Sequence, residues 1–339
     1  MYTSLRIENF RGFRDLTVGP LQRVNLLVAK NNVGKTAFLE AVTLLVNGQG
    51  ALQTFPKAFR NSDHPEQGSE FWVWLFHGRD CASVASVTAT GSDAKGNQSV
   101  QLRCTEQNAN NHPQRFECVQ RFQVEGKQYP LFLRTEPEMA QSNVSHPRNL
   151  NETNGGAKIF ATNPMNPIEE ARKYHNVMKK KGGEEKVQSL LRVIEPRLTK
   201  IRPGLTGSQP SIYADIGLSE LIPVSQLGQG FSRVLSIYSS ILLSEAKVFL
   251  IDEVENGIHY SALEQVWEGL AEVAERENVQ VFATTHSWEC LVAAGKVFAK
   301  RDPYDFAVHR LQIVGDRVEA KTYDRETLAT SIEQGFEVR

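Results

Sequence analysis

Mostly apolar runs at three distant places along the chain predict strands that are buried on both faces. They cover residues 24–28, 248–251 and 279–283. Uninterrupted runs of this length are typical of a parallel sheet covered by helices. Helix-like segments at 37–42, 234–243 and 261–276 accompany them. Together these patterns predict an α/β core.

The middle of the chain has a different pattern of apolar and polar residues. Between residues 70 and 134, apolar and polar residues alternate between turn clusters, which predicts an antiparallel sheet beside the core. Residues 141–167 are rich in Asn, Ser, Gly and Pro, which predicts a loop or flexible linker. Residues 168–177 and 184–198 predict two helices. We therefore expect a sheet subdomain and a short helical insert between the two halves of the core.

The first predicted strand is followed by AKNNVGKT, from Ala29 to Thr36, and then by a helix. A strand, a tight loop and a helix beginning at Gly-Lys-Thr form a binding site for nucleotide phosphates. Backbone N–H groups and the positive end of the helix face the phosphate oxygens. Lys35 reaches the β- and γ-phosphates, and the Thr36 hydroxyl ligates Mg²⁺. The pattern has Gly at its first position, so Ala29 is a mild departure if its φ stays negative.

Acidic and histidine side chains follow the other two predicted strands. Asp252 and Glu253 come directly after the second strand, at the end where ligands bind in open α/β sheets. We expect Asp252 to hold Mg²⁺ through water opposite Thr36, and Glu253 to orient or deprotonate the attacking water. His286 follows the third strand, which a helix returns to the side of the second. His286 is therefore expected beside Glu253, in contact with the γ-phosphate.

A fourth segment carries two glycines just before the helix predicted at 234–243. Its sequence is Leu227, Gly228, Gln229 and Gly230. Such a turn makes a second anion-binding helix N-terminus. As a bare pattern, it is only a glycine turn before a helix.

The order of these motifs resembles that of an ABC-type ATPase. More narrowly, the chain is similar to the OLD/RecF-like group of bacterial ATPases, which are related to SMC proteins. The matching stretches are LRIENFRGFRDLTV, VAKNNVGKTAFLEAV, VSQLGQGFSRVLSI, FLIDEVENGIHYSAL and VFATTHSWECL. The C-terminal YDRETLATSIEQGFEVR also resembles the end of these domains. The resemblance therefore covers the whole chain.

The resemblance implies a role for each motif. The phosphate cradle with its metal ligand comprises Asn31, Asn32, Val33, Gly34, Lys35 and Thr36. The metal residue of the Walker B motif, the catalytic carboxylate and the switch histidine are Asp252, Glu253 and His286. LGQG takes the place of the LSGGQ signature, with Gly228 instead of the serine. Gly228, Gln229 and Gly230 would then bind the γ-phosphate mainly through backbone N–H groups.

Three further elements follow from the resemblance. Arg11 and Gly12 lie where SMC-like relatives contact the nucleotide from an N-terminal turn. The D-loop, which follows a subunit interface in the family, corresponds to Asn256, Gly257, Ile258 and His259. The glutamine of the Q-loop has three candidates and no basis for choosing between them, namely Gln67, Gln98 and Gln101.

In this family the signature of one subunit closes over ATP held by the P-loop of another. The resemblance therefore implies a homodimer with ATP and Mg²⁺ between its subunits. It also implies a fold class, a P-loop ABC-type α/β ATPase with a mixed sheet core, an antiparallel β subdomain and a short helical lobe. We divide the chain into a first ATPase lobe (1–140), a linker with a helical insert (141–222) and a second ATPase lobe (223–339).

Composition sets wider bounds on the function. The 339 residues include 38 Lys and Arg and 39 Asp and Glu, a net charge of −1, which gives no global signature of nucleic-acid binding. No run of about 18 apolar residues predicts a membrane span, and the N-terminus lacks a signal-peptide pattern. The cysteines form no CxxC pair and favour reduced, cytoplasmic thiols; they are Cys81, Cys104, Cys118 and Cys290.

Three functions remain open at this stage. The leading hypothesis is an ATP-hydrolysing switch for a separate effector or nuclease in bacterial antiphage defence, because the arm is short and no TOPRIM-type nuclease domain is expected in the chain. The second is a RecF-like DNA repair ATPase; its basic stretch at Lys179, Lys180 and Lys181 reads better as a solvated helix end than as a DNA contact. The third is an ATP-binding scaffold with negligible turnover. ATP is the expected nucleotide; no NKxD-type base-reading sequence is apparent, although the motifs alone do not exclude a guanine preference.

Overall fold

The computed structural model describes residues 1–48, 50–51, 72–92, 97–107, 113–124, 127–135, 157–160 and 167–335. Its strands are β1 (Tyr2–Phe10), β2 (Phe13–Val18), β3 (Val24–Val28), β4 (Ala85–Gly91), β5 (Gln98–Gln107), β6 (Pro113–Val124), β7 (Lys127–Thr135), β8 (Ala157–Phe160), β9 (Lys200–Thr206), β10 (Gln209–Asp215), β11 (Ile222–Pro223), β12 (Val248–Ile251), β13 (Gln280–Thr285), β14 (Phe306–Val314) and β15 (Arg317–Tyr323). Its helices are α1 (Lys35–Asn47), α2 (Pro167–Lys179), α3 (Gly183–Leu191), α4 (Gln229–Leu243), α5 (Leu263–Arg276), α6 (Trp288–Ala299) and α7 (Arg325–Glu333).

The three strands predicted in the sequence, β3, β12 and β13, lie side by side in a six-stranded sheet. The strand order is β15-β14-β3-β13-β12-β8, and every neighbouring pair is parallel except β14 and β15. In register, Thr285 pairs with Val28, and Ala283 pairs with Ile251. The segments that follow β3, β12 and β13 therefore all leave the sheet at one edge.

Side chains of β12 alternate between two buried clusters. Phe249 and Ile251 belong to the cluster that includes the apolar faces of α4, α5 and α6. Val248 and Leu250 belong to the cluster on the other face, which includes α1. Both sides of the strand are therefore buried, and this explains the continuous apolar run in the sequence.

A second six-stranded sheet covers the outer side of α1. Its order is β2-β1-β4-β5-β6-β7, and every pair in it is antiparallel. In β4, Ala85, Val87 and Ala89 are buried in the cluster shared with α1, which is the alternation expected for a sheet with one solvated face. The predicted antiparallel subdomain is confirmed, and the N-terminal strands β1 and β2 complete it.

The helical insert packs on α4. Helices α2 and α3 both contact α4, and a three-stranded antiparallel sheet, β11-β10-β9, lies against α2. The buried residues Tyr174, Val177, Val187 and Leu191 join the cluster of α4 and α5. The insert is therefore a compact lobe on the core, and the predicted α/β fold class is confirmed.

Local structure differs from the sequence-based expectation in three places. β8 lies within the expected linker and pairs with β12 as an edge strand; four residues that include exposed Lys158 leave too short an apolar pattern to detect. Helix α3 ends at Leu191 instead of continuing to residue 198; Pro196, which has no N–H and would clash with the carbonyl four residues earlier, opposes a helix through the second half of the predicted span. Strands β9 and β10 were not predicted.

Other expectations concern the chemistry of the surface. All four cysteines are free thiols. Within the described part of the chain, no helix is long and apolar enough to span a bilayer. Lys180 donates to the carbonyl of Leu242, and Lys179 lies 3.5 Å from the amide oxygen of Asn176. These local contacts fit a helix end, and DNA contact by this stretch stays a prediction.

Candidate functional site

The loop between β3 and α1 has the geometry of an anion-binding turn. Gly34 has a φ of 123°, and a Cβ at this position would lie 2.8 Å from the ring of Phe13, so only glycine fits. Gly34 is the N-cap of α1 and makes no side-chain cap, which leaves the first N–H groups of the helix open to a ligand. Ala29 keeps a negative φ. The condition under which alanine fits the first position is therefore met.

Lys35 is folded back over this loop. Its ammonium donates to the carbonyl of Ala29 at 2.9 Å and lies 3.4 Å from that of Lys30. Burial lowers the pKa of Lys35 from its usual value, while Asp252 and Glu253 oppose the shift by attraction. A phosphate would supply the nearby negative charge that a half-buried ammonium needs.

Thr36 and Asp252 meet across the edge of the sheet. The Thr36 hydroxyl lies 3.4 Å from Oδ2 of Asp252, and Oδ1 accepts a hydrogen bond of 2.6 Å from Thr284. A hydroxyl and a carboxylate are the hard oxygen ligands that Mg²⁺ takes, together with substrate phosphates and water. Among the described residues, no group of three or more His, Cys, Asp or Glu forms a separate metal cage. The donor set therefore fits Mg²⁺ shared with a nucleotide.

Glu253 stands in a strained backbone conformation beside this pair. Its φ is 49°, a value that side chains rarely adopt and that is concentrated at functional sites. Its N–H donates to the hydroxyl of Thr284 at 2.8 Å. The strain and this anchor turn the chain sharply after β12 and leave the carboxylate partly exposed.

His286 lies beside Glu253, as the strand–helix–strand spacing predicts. Its Nδ1 is 3.7 Å from Oε1 of Glu253 and 3.3 Å from Oε1 of Glu255. The same Glu255 oxygen accepts the backbone N–H of His286 at 3.1 Å. The other oxygen, Oε2, is buried without a hydrogen-bond partner. Glu255 therefore holds His286 in place, a role that the sequence motif did not reveal.

A cavity of about 1120 Å³ opens beside these groups. It is comparable in size with the larger ligand pockets of proteins. The described residues that line it are Arg11, Gly12, Asn31, Asn32, Val33, Gly34, Lys35, Thr36, Ala37, Trp74, Phe76, His77, Gly78, Asp252 and Glu253. The structure thus brings the predicted P-loop, carboxylates and N-terminal turn to one cavity. The 74–78 segment in its wall had no signal in the sequence.

Arg11 has a structural contact in addition to its place in the cavity wall. Its guanidinium makes a two-point ion pair with buried Glu40 of α1, with distances of 2.8 and 3.1 Å. A third nitrogen, Nη1, donates to the carbonyl of Trp74 at 3.2 Å. Nucleotide contact by Arg11 therefore stays a prediction, while the turn itself is fixed to the P-loop helix.

The signature segment does not line the described part of the cavity. Neither His286 nor Gly228, Gln229 and Gly230 are among the described residues that line the cavity. Gly228 has a φ of 94° and a ψ of 164°, a region restricted to glycine. This conformation accounts for glycine in place of the family's serine. Gly228 and Gln229 are exposed at the start of α4, which has no side-chain cap.

The signature touches the predicted D-loop of the same protomer. A Cβ on Gly230 would lie 2.1 Å from the carbonyl oxygen of Gly257. Two glycines are therefore required for the backbones to approach this closely. The signature and the predicted D-loop are therefore in direct backbone contact within the protomer.

Arg233, one turn into α4, connects this helix to the segment that carries Asp252 and Glu253. Its Nη2 donates to the backbone carbonyls of Asp252 and Glu253. Burial lowers the pKa of Arg233, while Asp252, Glu255 and Glu253 oppose the shift. An arginine on an amphipathic helix had no distinctive signal in the sequence.

The Q-loop glutamine is not resolved by this geometry. Gln98 donates to the carbonyl of Leu45 at 2.7 Å, and Gln101 accepts from Arg121 at 2.8 Å. Neither lines the described part of the cavity wall. Gln67 lies outside the described residues.

Comparison with known proteins agrees with the site. The chain is 23% identical to a protein of Helicobacter pylori named ATP/GTP phosphatase, over 89% of this chain and 90% of that protein. The structure resembles an SMC head bound to the C-terminal winged-helix domain of ScpA, with a TM-score of 0.54, 12% identity and coverage of 97% and 99% of the two chains. It also resembles an SMC head with an extended coiled coil, bound to the C-terminal domain of ScpA from Pyrococcus furiosus, with a TM-score of 0.53, 9% identity and 98% coverage of each.

The two structural likenesses establish the fold alone. Residues 24–291 match the family described as AAA domain, putative AbiEii toxin, type IV toxin–antitoxin system. This match spans more than half of the chain and includes the P-loop, Asp252, Glu253 and His286. The chain belongs to this AAA family and is an ATPase.

Proposed function

We propose that two copies of this chain enclose Mg²⁺ and ATP between them, hydrolyse the ATP, and thereby switch a separate effector protein. We place the chain in the OLD/RecF-like group and its role in bacterial antiphage defence. The single observation that carries the proposal is that the exposed signature turn does not contribute to the described wall of the cavity that holds the catalytic groups. Lys35, Thr36, Asp252 and Glu253 line one cavity, whereas Gly228 and Gln229 of the signature are exposed and are not among the described residues that line it.

The residues in and beside the cavity have separate chemical roles. Lys35 and the N-terminus of α1 bind the β- and γ-phosphates. Thr36 and Asp252 would hold Mg²⁺, which neutralises charge on the phosphate oxygens. Glu253 accepts the proton of the attacking water, and His286, oriented by Glu255, contacts the γ-phosphate. The products are ADP and phosphate.

The exposed signature supports association of two copies. α4 begins at an uncapped, exposed turn whose N–H groups suit an anion. On the second protomer, this turn would meet the γ-phosphate and complete its coordination. A twofold arrangement satisfies both sites at once. Hydrolysis would remove the shared phosphate and weaken the dimer, which makes association depend on the nucleotide.

The similar proteins support two parts of this proposal, namely ATP hydrolysis and the binding of a separate effector. The Helicobacter pylori protein is named a nucleotide phosphatase, which favours hydrolysis at the cavity. The SMC heads were solved with a bound domain of another protein, which favours an effector on the outer surface. The toxin–antitoxin wording of the family description is in keeping with a two-component defence system.

The proposal is tested by measuring turnover and oligomeric state together. With Mg²⁺ and ATP, we expect steady phosphate release by the natural sequence and none by Lys35→Ala. Light scattering should show a dimer with a non-hydrolysable ATP analogue and a monomer with ADP. The control is Ile313→Ala, since Ile313 is exposed on the β14–β15 hairpin and does not line the cavity. Turnover without any nucleotide-dependent association would contradict the switch.

A further inference from the structure

A large aromatic side chain stands exposed in the wall of the nucleotide cavity. Trp74 lines the same cavity as the P-loop, yet 57% of its surface is accessible. Tryptophan is highly buried on average, so an exposed ring in a ligand cavity has a large apolar face to offer. The motifs of the site assign it no role.

The position of Trp74 is fixed by the backbone around it. Arg11 donates its backbone N–H to the carbonyl of Leu75 at 2.8 Å, and its side chain donates to the carbonyl of Trp74. Phe76 forms a β-bridge with Phe10 and is buried. These bonds tie the segment to the end of β1, next to the turn that faces the P-loop. The segment that carries the ring is therefore anchored next to the P-loop.

The ring also has a charged neighbour. The guanidinium carbon of Arg79 lies 5.0 Å from the centroid of the Trp74 ring, within the range of a cation–π contact. This contact restrains the ring and places a positive charge beside it. Next to it, Nδ1 of His77 lies 3.2 Å from the carbonyl of Arg11, which anchors the far side of the segment.

We propose that Trp74 is the residue on which the base of the nucleotide stacks. The inference rests on the proposed function, since the P-loop must hold the triphosphate for the base to reach the 74–78 segment. Every base has a π-face, and stacking on an aromatic side chain depends on contact with this face. It does not depend on the hydrogen-bonding edge of the base. The larger ring system of a purine gains more from such contact than a pyrimidine does. Trp74 thus confers preference for purine nucleotides and discriminates little between adenine and guanine.

The experiment measures nucleotide binding in the Glu253→Gln background, so that hydrolysis does not interfere. Titration calorimetry gives Kd for ATP, GTP, CTP and inorganic triphosphate. Trp74→Ala is expected to weaken ATP and GTP by about tenfold or more. Trp74→Phe retains an aromatic face and should stay within about threefold of the parent. Inorganic triphosphate has no base, so Trp74→Ala should bind it as the parent does.

The possible outcomes distinguish a failure of the proposed stacking role of Trp74 from a failure of the proposed function. Unchanged ATP affinity in Trp74→Ala, with binding lost in Lys35→Ala, overturns the stacking role and leaves the proposed function standing. Equal weakening of ATP and inorganic triphosphate also overturns it, because the change then acts on the phosphate site. If the parent binds neither ATP nor triphosphate, both proposals fail. Ile313→Ala is the matched control, as another exposed apolar side chain away from the cavity.

Discussion

Two glycine turns of this protein each begin a helix but have very different surroundings. Gly34 and Gly228 both have a positive φ, both are N-caps, and both start a helix without a side-chain cap. Around Gly34, the sheet edge supplies Lys35, Asp252 and Glu253. Gly228 is exposed and lies outside the described cavity wall. A helix that begins at an uncapped glycine thus occurs once inside the wall of the catalytic cavity and once outside it, as the proposed composite site requires.

The largest expected effect is on turnover, from a substitution in the cavity beside the Gly34 turn that should leave ATP binding intact. Glu253→Gln removes the proton acceptor while keeping the shape of the side chain. Turnover should fall by about a hundred- to ten-thousandfold, while Kd for ATP stays nearly the same. Phosphate release and calorimetry measure the two quantities. Turnover equal to that of the natural sequence would remove Glu253 from the mechanism.

The next effect acts at the second turn. Gly230→Ala places a methyl group against the carbonyl of Gly257 and must displace the signature from the D-loop. Misplacement by about 1 Å can lower a rate a hundredfold, so turnover should drop by that order. Binding of ATP to the P-loop of one protomer should persist. Gly50→Ala is the matched control, since a Cβ there meets none of the described residues within 4 Å.

A smaller effect is expected when the contact between Glu255 and His286 is weakened. Glu255→Gln keeps the shape of the side chain but replaces the oxygen charge that holds the imidazole and its backbone N–H. We expect turnover to fall by about tenfold, because a hydrogen bond to a charged group contributes about 1.5–3 kcal/mol, and the nucleotide-dependent dimer to remain. Glu245→Gln, an exposed position, controls for loss of one negative charge. An unchanged rate would mean that His286 needs no such support.

The smallest expected effect is on the pH dependence of folding stability, through buried His309 in the core sheet. Burial lowers the pKa of His309 to about 3, while an unfolded histidine titrates near 6.5. The unfolded chain therefore binds an extra proton between these values, and stability falls as the pH decreases from about 6.5. The slope is about 1.4 kcal/mol per pH unit.

Urea unfolding at pH 7.5 and 5.5 measures this slope. His309→Gln should reduce it, whereas His175→Gln, at an exposed position, should leave it unchanged. A slope that survives His309→Gln would assign the acid sensitivity to other groups.

The contrast between the turns also shows what a sequence can reveal. The β3–P-loop–α1 unit and the carboxylates after β12 combine a local pattern with a fixed strand direction, so their convergence could be predicted. Arg233, Glu255 and Trp74 act through contacts that depend on which elements pack together. Charged and aromatic residues on helices and loops are common, and no periodicity distinguishes these three. The edge strand β8 was missed because its pairing with β12, and not its own pattern, makes it a strand.

The central claim is that an active site uses the P-loop of one copy and the signature of another. Two inactive variants test it when mixed: Lys35→Ala, without the phosphate cation, and Gln229→Glu, with a carboxylate on the exposed signature turn. Random exchange gives half mixed dimers, each with one intact site of two, so we predict about a quarter of the natural turnover. Lys35→Ala mixed with Glu253→Gln should recover nothing, because both residues serve the same cavity. No recovery in the first mixture, with dimers formed, would contradict the composite site.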